Sequence, residues 1–171
     1  MENGSMILAR TVHRRIVDRE DSNMTLTAPF GRYNWMKVLD VMTPNPLTVA
    51  TIESVSLANE LMSENNIRQI PVVDGHELVG IVTDRDVRAF LSDALLANPA
   101  EREKALETPV RHIMTTEPLY LSPDDDLQDA VEMLIEQKFG ALPVVDEAEG
   151  LVGIVSYVDV LRCFLNRLRE E

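Results

Sequence analysis

Two short stretches of this 171-residue chain pair a hydroxyl with a carboxylate three residues on: Thr83 with Asp86, and Ser156 with Asp159. Each hydroxyl closes an almost continuously apolar run, Leu78–Val82 or Leu151–Val155, and each carboxylate falls in the first turn of the helix expected to follow. A hydroxyl together with the unpaired amides of a helix start favours phosphate. An ionised carboxylate, which only accepts hydrogen bonds, suits the two hydroxyls of a ribose. The pairing thus has the chemistry of a nucleotide cradle. The same residues also make a plain helix N-cap with a carboxylate in the first turn, which needs no ligand. Repetition favours the cradle, because both copies follow a Pro-Val-Val-Asp stretch, at 71–74 and 143–146.

Other chemistry is thinly represented. His13, His76 and His112 share no metal-ligand spacing with one another or with Cys163, so no metal site is expected. The run Asp124-Asp125-Asp126 suits magnesium but is explained more simply as carboxylates at a helix start. There is no Gly-x-Ser-x-Gly, no Gly-rich phosphate loop and no Cys-x-x-Cys. No catalytic constellation emerges, and the chain is expected not to be an enzyme. Cys163 sits in an apolar helical stretch and reads as a buried structural thiol.

The elements that carry the hydroxyl–carboxylate pairs form an internal duplication. Residues 41–74 align with 113–146 at a shift of 72, with 11 identities in 34 positions. After one inserted residue near Gly150, 78–88 align with 151–161 at a shift of 73, with 7 in 11. Met42/Met114, Thr43/Thr115, Pro46/Pro118, Pro71/Pro143, Asp74/Asp146, Gly80/Gly153 and Asp86/Asp159 mark the match. Each copy predicts a short extended piece (47–49; 119–121), then a helix with Val55, Ala58, Leu61 and Met62 or Leu127, Ala130, Val131, Leu134 and Ile135 at helical spacing. Strands at 70–73 and 142–145 follow, then the apolar runs, expected to be buried on both faces. A second helix closes each unit, 84–91 or 157–168, the latter with an apolar stripe of Val158, Leu161, Phe164, Leu165 and Leu168. A unit of ~50 residues barely buries a core alone, and packing two together remedies that. The expected division is an extension over 1–36, repeat one over 37–91, a linker with a short helix over 92–110, and repeat two over 111–168.

These motifs resemble a known family. Val41-Met42-Thr43, Ile70-Pro71-Val72-Val73-Asp74 and Gly80-Ile81-Val82-Thr83-Asp84-Arg85-Asp86 look like a CBS domain, the module named after cystathionine β-synthase. Ile113-Met114-Thr115, Leu142-Pro143-Val144-Val145-Asp146 and Gly153-Ile154-Val155-Ser156-Tyr157-Val158-Asp159 look like a second. The resemblance implies an α/β fold in which two β-α-β-β-α repeats pack as a pseudo-twofold disc, the Bateman module. It implies a regulatory sensor for an adenosine ligand: AMP, ADP or ATP, with NAD or S-adenosylmethionine as further options. It also implies composite clefts, with Ser156 and Asp159 facing Leu47, Ile67, Arg68 and Gln69, and Thr83 and Asp86 facing Leu119, Phe139, Gly140 and Ala141. Arg68 would supply one cleft with a phosphate-binding fork; its counterpart Gly140 would not, unless Arg85 or Arg88 turned inward. The competing reading is a ligand-free structural dimerisation module.

Partners are constrained by charge. Apolar residues make up 45% of the chain and the net charge is −13. Residues 1–36 carry five arginines against four carboxylates, which leaves −14 on the remainder. Such an acidic body disfavours nucleic acid. No stretch is apolar for long enough to span a membrane, and Met6–Ala9 runs straight into Arg10, unlike a secretory leader. A cytoplasmic location is expected. A homodimer through helices 54–65 and 126–137 is also expected, because Met62, Val131, Met133 and Ile135 exceed what one core face needs, and the regulated protein is unknown. In the extension, whose role is left open, Leu8, Val12 and Ile16 allow a short basic amphipathic helix. It is expected to dock on the acidic body or stay disordered rather than meet a nucleic acid, partner or membrane surface. Phe30, Tyr33 and Trp35 read as an anchor over an exposed edge.

Overall fold

The structure is a computed structural model describing residues 36–95, 99–148 and 150–170. The expected amphipathic helix at 8–16 and the aromatic anchor lie outside them. Repeat one runs β1 (Thr43–Pro44), β2 (Val49–Ala50), α1 (Val55–Glu64), β3 (Gln69–Asp74), β4 (Glu77–Thr83) and α2 (Asp84–Leu95). The linker holds the expected helix, α3 (Pro99–Leu106). Repeat two runs β5 (Thr115–Thr116), α4 (Leu127–Gln137), β6 (Ala141–Val145), β7 (Leu151–Ser156) and α5 (Tyr157–Glu170).

Local chemistry sets the element ends. Ser54 caps α1, its hydroxyl accepting the Leu57 N–H at 3.2 Å. The equivalent N-cap of α4, Asp126, makes no such bond, and its carboxylate instead takes the Lys37 ammonium at 2.7 Å. The hairpins β3–β4 and β6–β7 are antiparallel, with matching register shifts at Val72/Val73 and Val144/Val145. Among the described residues four other than glycine are left-handed, also in matching pairs: Asn45 and Glu117 (φ 48° and 50°), and Asn66 and Lys138 (φ 52° and 57°). Of the extended pieces expected before the helices, the first forms β2, parallel to β3. The second makes only a single parallel bridge, Leu121 to Val144.

The repeats exchange their leading segments. The sheet orders are β2-β3-β4-β5 and β1-β7-β6, so β1 joins the sheet of repeat two and β5 that of repeat one. Thr43 stands opposite Ile154, and Thr115 opposite Ile81. The Val55 N–H at the start of α1 donates to the Thr108 carbonyl at 2.8 Å, and the Leu127 N–H at the start of α4 donates to the Met36 carbonyl at 2.9 Å. Val110, fully buried, completes the core of Val49, Val55, Ala58, Met62, Ile70, Val72, Val82 and Val87. Val38, fully buried, completes that of Leu121, Ala130, Met133, Leu134, Leu142, Val144 and Val155. Each undersized unit closes its interior with a valine from ahead of the other.

Three expectations about burial need correction. The apolar runs of β4 and β7 are not sealed on both faces: Gly80, Val82, Gly153 and Val155 are buried, while Val79, Ile81, Val152 and Ile154 between them stay half-exposed. This alternation is that of strands with one closed face. Of the four apolar residues expected to exceed one core face, Met62 and Met133 are core positions, so the surplus shrinks to exposed Ile135 and half-buried Val131. Cys163 is half-buried rather than buried, its Sγ 3.9 Å from the Met36 sulfur. The stripe on α5 points outward, because the half-buried positions of that helix are Asp159, Val160, Cys163 and Arg167.

Candidate functional site

Each hydroxyl–carboxylate pair sits where an apolar strand feeds directly into a helix. In repeat one the Thr83 hydroxyl donates to Asp86 Oδ2 at 2.6 Å, the Thr83 N–H donates to the same oxygen at 2.9 Å, and the Asp86 N–H returns to the Thr83 hydroxyl at 3.2 Å. In repeat two, Ser156 and Asp159 repeat the three bonds at 2.5, 2.9 and 3.2 Å. These are reciprocal capping boxes, so the structural reading of the motif is fulfilled in both copies. Only Oδ2 of each carboxylate is used in the box. Oδ1 of Asp159, on a side chain only 12% exposed, meets Arg162 Nη1 at 3.5 Å and the Thr43 hydroxyl at 3.5 Å.

Thr43 belongs to repeat one, and it comes to Asp159 because β1 crosses into the sheet of repeat two. Neither Thr43 nor Arg162 was singled out from the sequence as a site residue. Thr43 carried a signal, as one of the residues shared between the copies; Arg162 carried none, since its equivalent is Ala89.

Backbone pairing places the remaining candidates. Gln69 is opposite Thr83 across β3–β4, and the Asp84 N–H donates to the Arg68 carbonyl at 3.0 Å. Ala141 is opposite Ser156, and the Tyr157 N–H donates to the Gly140 carbonyl at 3.2 Å. The backbone therefore sets Arg68 and Gln69 beside the box of their own repeat, and Gly140 and Ala141 beside theirs. One side chain bridges the repeats here: a Cβ on Gly140 would collide with the Gln69 amide, so the glycine makes room for that contact. Leu47 and Phe139 are 44% and 40% exposed, apolar walls open to a ring. Ile67 and Leu119 instead pack on the cores of repeats one and two. Arg68 is exposed. Arg88 does not turn inward, pairing with Asp84 at 3.0 Å on the surface.

The Met and Gly signposts are contact partners across the repeats. A Cβ on Gly80 would stand 2.6 Å from the Met114 sulfur, and one on Gly153 would strike that of Met42. The arrangement can hold a flat, partly apolar ligand with hydroxyls at its sugar and an anion near a helix start. Among the described residues no cluster of three or more His, Cys, Asp or Glu suits a metal ion, and no helix is long and apolar enough to cross a membrane.

Known proteins share this architecture. The CBS domain-containing protein YhcV of Bacillus subtilis is 35% identical over 134 residues, spanning 78% of this chain and 87% of its own. The crystal structure of CBSX2, a CBS-pair protein from Arabidopsis thaliana, in complex with AMP superposes with a TM-score of 0.66 at 36% identity, covering 76% of this chain and 96% of that one. The CBS domain pair of protein MJ0100, in complex with 5-methylthioadenosine and S-adenosyl-L-methionine, gives a TM-score of 0.65 at 25% identity, over 75% and 99% of the two chains. The CBS domain model itself matches twice, at 38–93 and 110–166, and with both halves accounted for the chain belongs to the CBS domain family as a tandem pair.

Proposed function

We propose that this chain is a non-catalytic sensor that binds an adenosine ligand between its repeats and passes its occupancy to a protein partner in the cytoplasm. The observation that carries the reading is the duplicated box at a strand-to-helix junction, with Thr43 of one repeat set against Asp159 of the other. Binding of AMP by a CBS pair 36% identical to this chain supports the ligand class, with ADP, ATP, NAD and S-adenosylmethionine as the further candidates. In the proposed clefts, Asp159 and Asp86 hold ribose hydroxyls through the oxygen their boxes leave over. Leu47 and Phe139 cover the base, and the helix starts at Ser156 and Thr83 face phosphate. Arg68, although its backbone lies beside the Thr83/Asp86 box, reaches across to serve the Ser156/Asp159 cleft as Gln69 reaches Gly140, and Arg162 joins it there.

Isothermal titration with AMP, ADP, ATP, NAD, S-adenosylmethionine and adenosine tests this. A charge-assisted contact contributes about 1.5–3 kcal/mol, so Arg68→Ala is expected to weaken AMP about ten- to a hundredfold and spare adenosine. Asp159→Ala is expected to weaken both. If Arg68→Ala leaves AMP unchanged while Asp86→Ala abolishes it, the clefts are assigned the wrong way round. The two closed boxes favour one competing reading, a ligand-free dimerisation module whose motifs only cap helices, and no heat with any ligand at millimolar concentration establishes it. We also propose a homodimer through α1 and α4, resting on exposed Ile135 and half-buried Val131, Leu57 and Leu61. Light scattering at the 19.2 kDa monomer mass would refute it.

A further inference from the structure

The repeats differ in what covers their outer helices. In repeat one, α3 lies on α2 and also reaches α1. Among the described side chains of α1 and α2 no large apolar group is exposed, and Leu61, Phe90 and Leu91 are half-buried. In repeat two, Ile135 of α4 and Leu161, Phe164, Leu165 and Leu168 of α5 are 40–69% exposed. Equivalent positions make the contrast direct. Leu91 is half-buried where its counterpart Phe164 is exposed, and Val87 is buried where Val160 is half-buried. At three positions where α2 carries Arg85, Arg88 and Ser92, α5 carries Val158, Leu161 and Leu165. The less covered face is the more apolar one, and it is of the kind that marks an interaction surface.

The internal symmetry identifies the occupant. Helix α3 ends two residues before Thr108, whose carbonyl receives the first N–H of α1. At the shift of 72, Thr108 corresponds to Met36, whose carbonyl receives the first N–H of α4 and whose sulfur lies 3.9 Å from Cys163 in α5. The chain therefore reaches α4 and α5 out of residues 1–35 as it reaches α1 and α2 out of α3. Carrying the shift of 72 back beyond the aligned repeats sets 27–34 at the place of 99–106, with Phe30 and Tyr33 where Arg102 and Ala105 stand and Trp35 following. In sequence, therefore, an aromatic segment precedes the carbonyl that starts α4 where a polar one precedes the carbonyl that starts α1.

We infer that residues 27–35 of the same chain cover the apolar face of α5, doing for repeat two what α3 does for repeat one. This leaves α1 and α4 for a second copy, and it does not depend on which ligand the clefts take.

The chain's single thiol, Cys163, provides the test. Gly31→Cys, Arg32→Cys and Tyr33→Cys are made separately in the full chain and oxidised under dilute conditions, with Ser5→Cys as the distal control. At least one of the three is expected to lose both titratable thiols while keeping the denatured mass of one chain, and the control is expected to keep two. Retention of two thiols in all three overturns the inference. So does a bond joining two chains, which would give the face to a partner copy, or a control that closes as readily, which would reduce docking to mere reach. A second measurement covers the case of a misplaced cysteine. Phe30→Ser/Tyr33→Ser/Trp35→Ser in the full chain is expected to speed amide exchange in α5 at least tenfold while leaving α2 unchanged. Unaltered exchange in α5 overturns the assignment and points to an outside partner or a lipid surface.

Discussion

Replacing Val38 by alanine is expected to weaken the repeat to which Val38 does not belong in sequence. The side chain is fully buried among Leu121, Ala130, Leu142, Val144 and Val155. Truncation removes two methyl groups from water-free surroundings, about 0.8 kcal/mol each, and leaves a cavity that the exchanged segment closes only in part. The cost is about 2–3 kcal/mol, a fall in melting temperature of roughly 5–10 °C for a chain of this size. Stability alone does not say which core suffers, so the assay is a pair of double-mutant cycles by urea unfolding. Val38→Ala combined with Val144→Ala, in the same core, is expected to depart from additivity by at least 0.5 kcal/mol. Combined with Val55→Ala, in the core of repeat one, it is expected to add within about 0.5 kcal/mol. The reverse outcome, coupling to Val55 and additivity with Val144, would refute the exchange of segments.

Two further outcomes follow from backbone and charge. Glu117→Asn and Lys138→Asn each give a left-handed residue the side chain found at the equivalent position of repeat one, where Asn45 and Asn66 adopt the same φ. Each is expected to stabilise by about 0.5–1 kcal/mol, read as a higher urea midpoint with an unchanged slope. The hydrogen bond to Asp126, aided by the charges of Asp126, Asp124 and Asp125, raises Lys37 above its ordinary 10.5. A raised lysine contributes stability that is present below its unfolded value and is lost as pH climbs through its folded one. Lys37→Met is therefore expected to destabilise at pH 8 and to do so less as pH rises above that ordinary value, and a pH-independent gap in urea midpoints would contradict it.

How much could be read in advance depended on whether the information was local. Helices α1 and α4 and the two hairpins follow from apolar spacing and turn residues, and the linking helix from its Ala, Leu and Glu content, each decided within a dozen positions. The boxes at Thr83–Asp86 and Ser156–Asp159 were legible for the same reason. The exchange of leading segments was not, because Val38 and Val110 occupy matching places and nothing in either neighbourhood says which of two similar cores it enters. That one ambiguity hid Thr43, whose approach to Asp159 exists only because β1 crosses over. Helical spacing marked apolar faces without saying what they meet: Met62 and Met133 fill cores, whereas the long apolar stripe of α5 faces out. A period of 3.6 finds a face but does not say toward which neighbour it turns.

The exchanged segments also set an order of events for a chain emerging from the ribosome. Repeat one, although synthesised first, lacks Val110 and the partner strand β5 until residues 110–116 have appeared, well after α2 is complete. Repeat two must recapture residues 38–44, made long before its own hairpin, closing a loop of more than a hundred residues between Thr43 and Ile154. Loop closure on that scale costs little more free energy than a shorter one, but non-local pairing slows folding. The half-made chain holds an unfinished core and a waiting strand edge, and neither repeat is finished before the other has begun. Duplicated in sequence, the pair folds as one unit rather than as beads on a string.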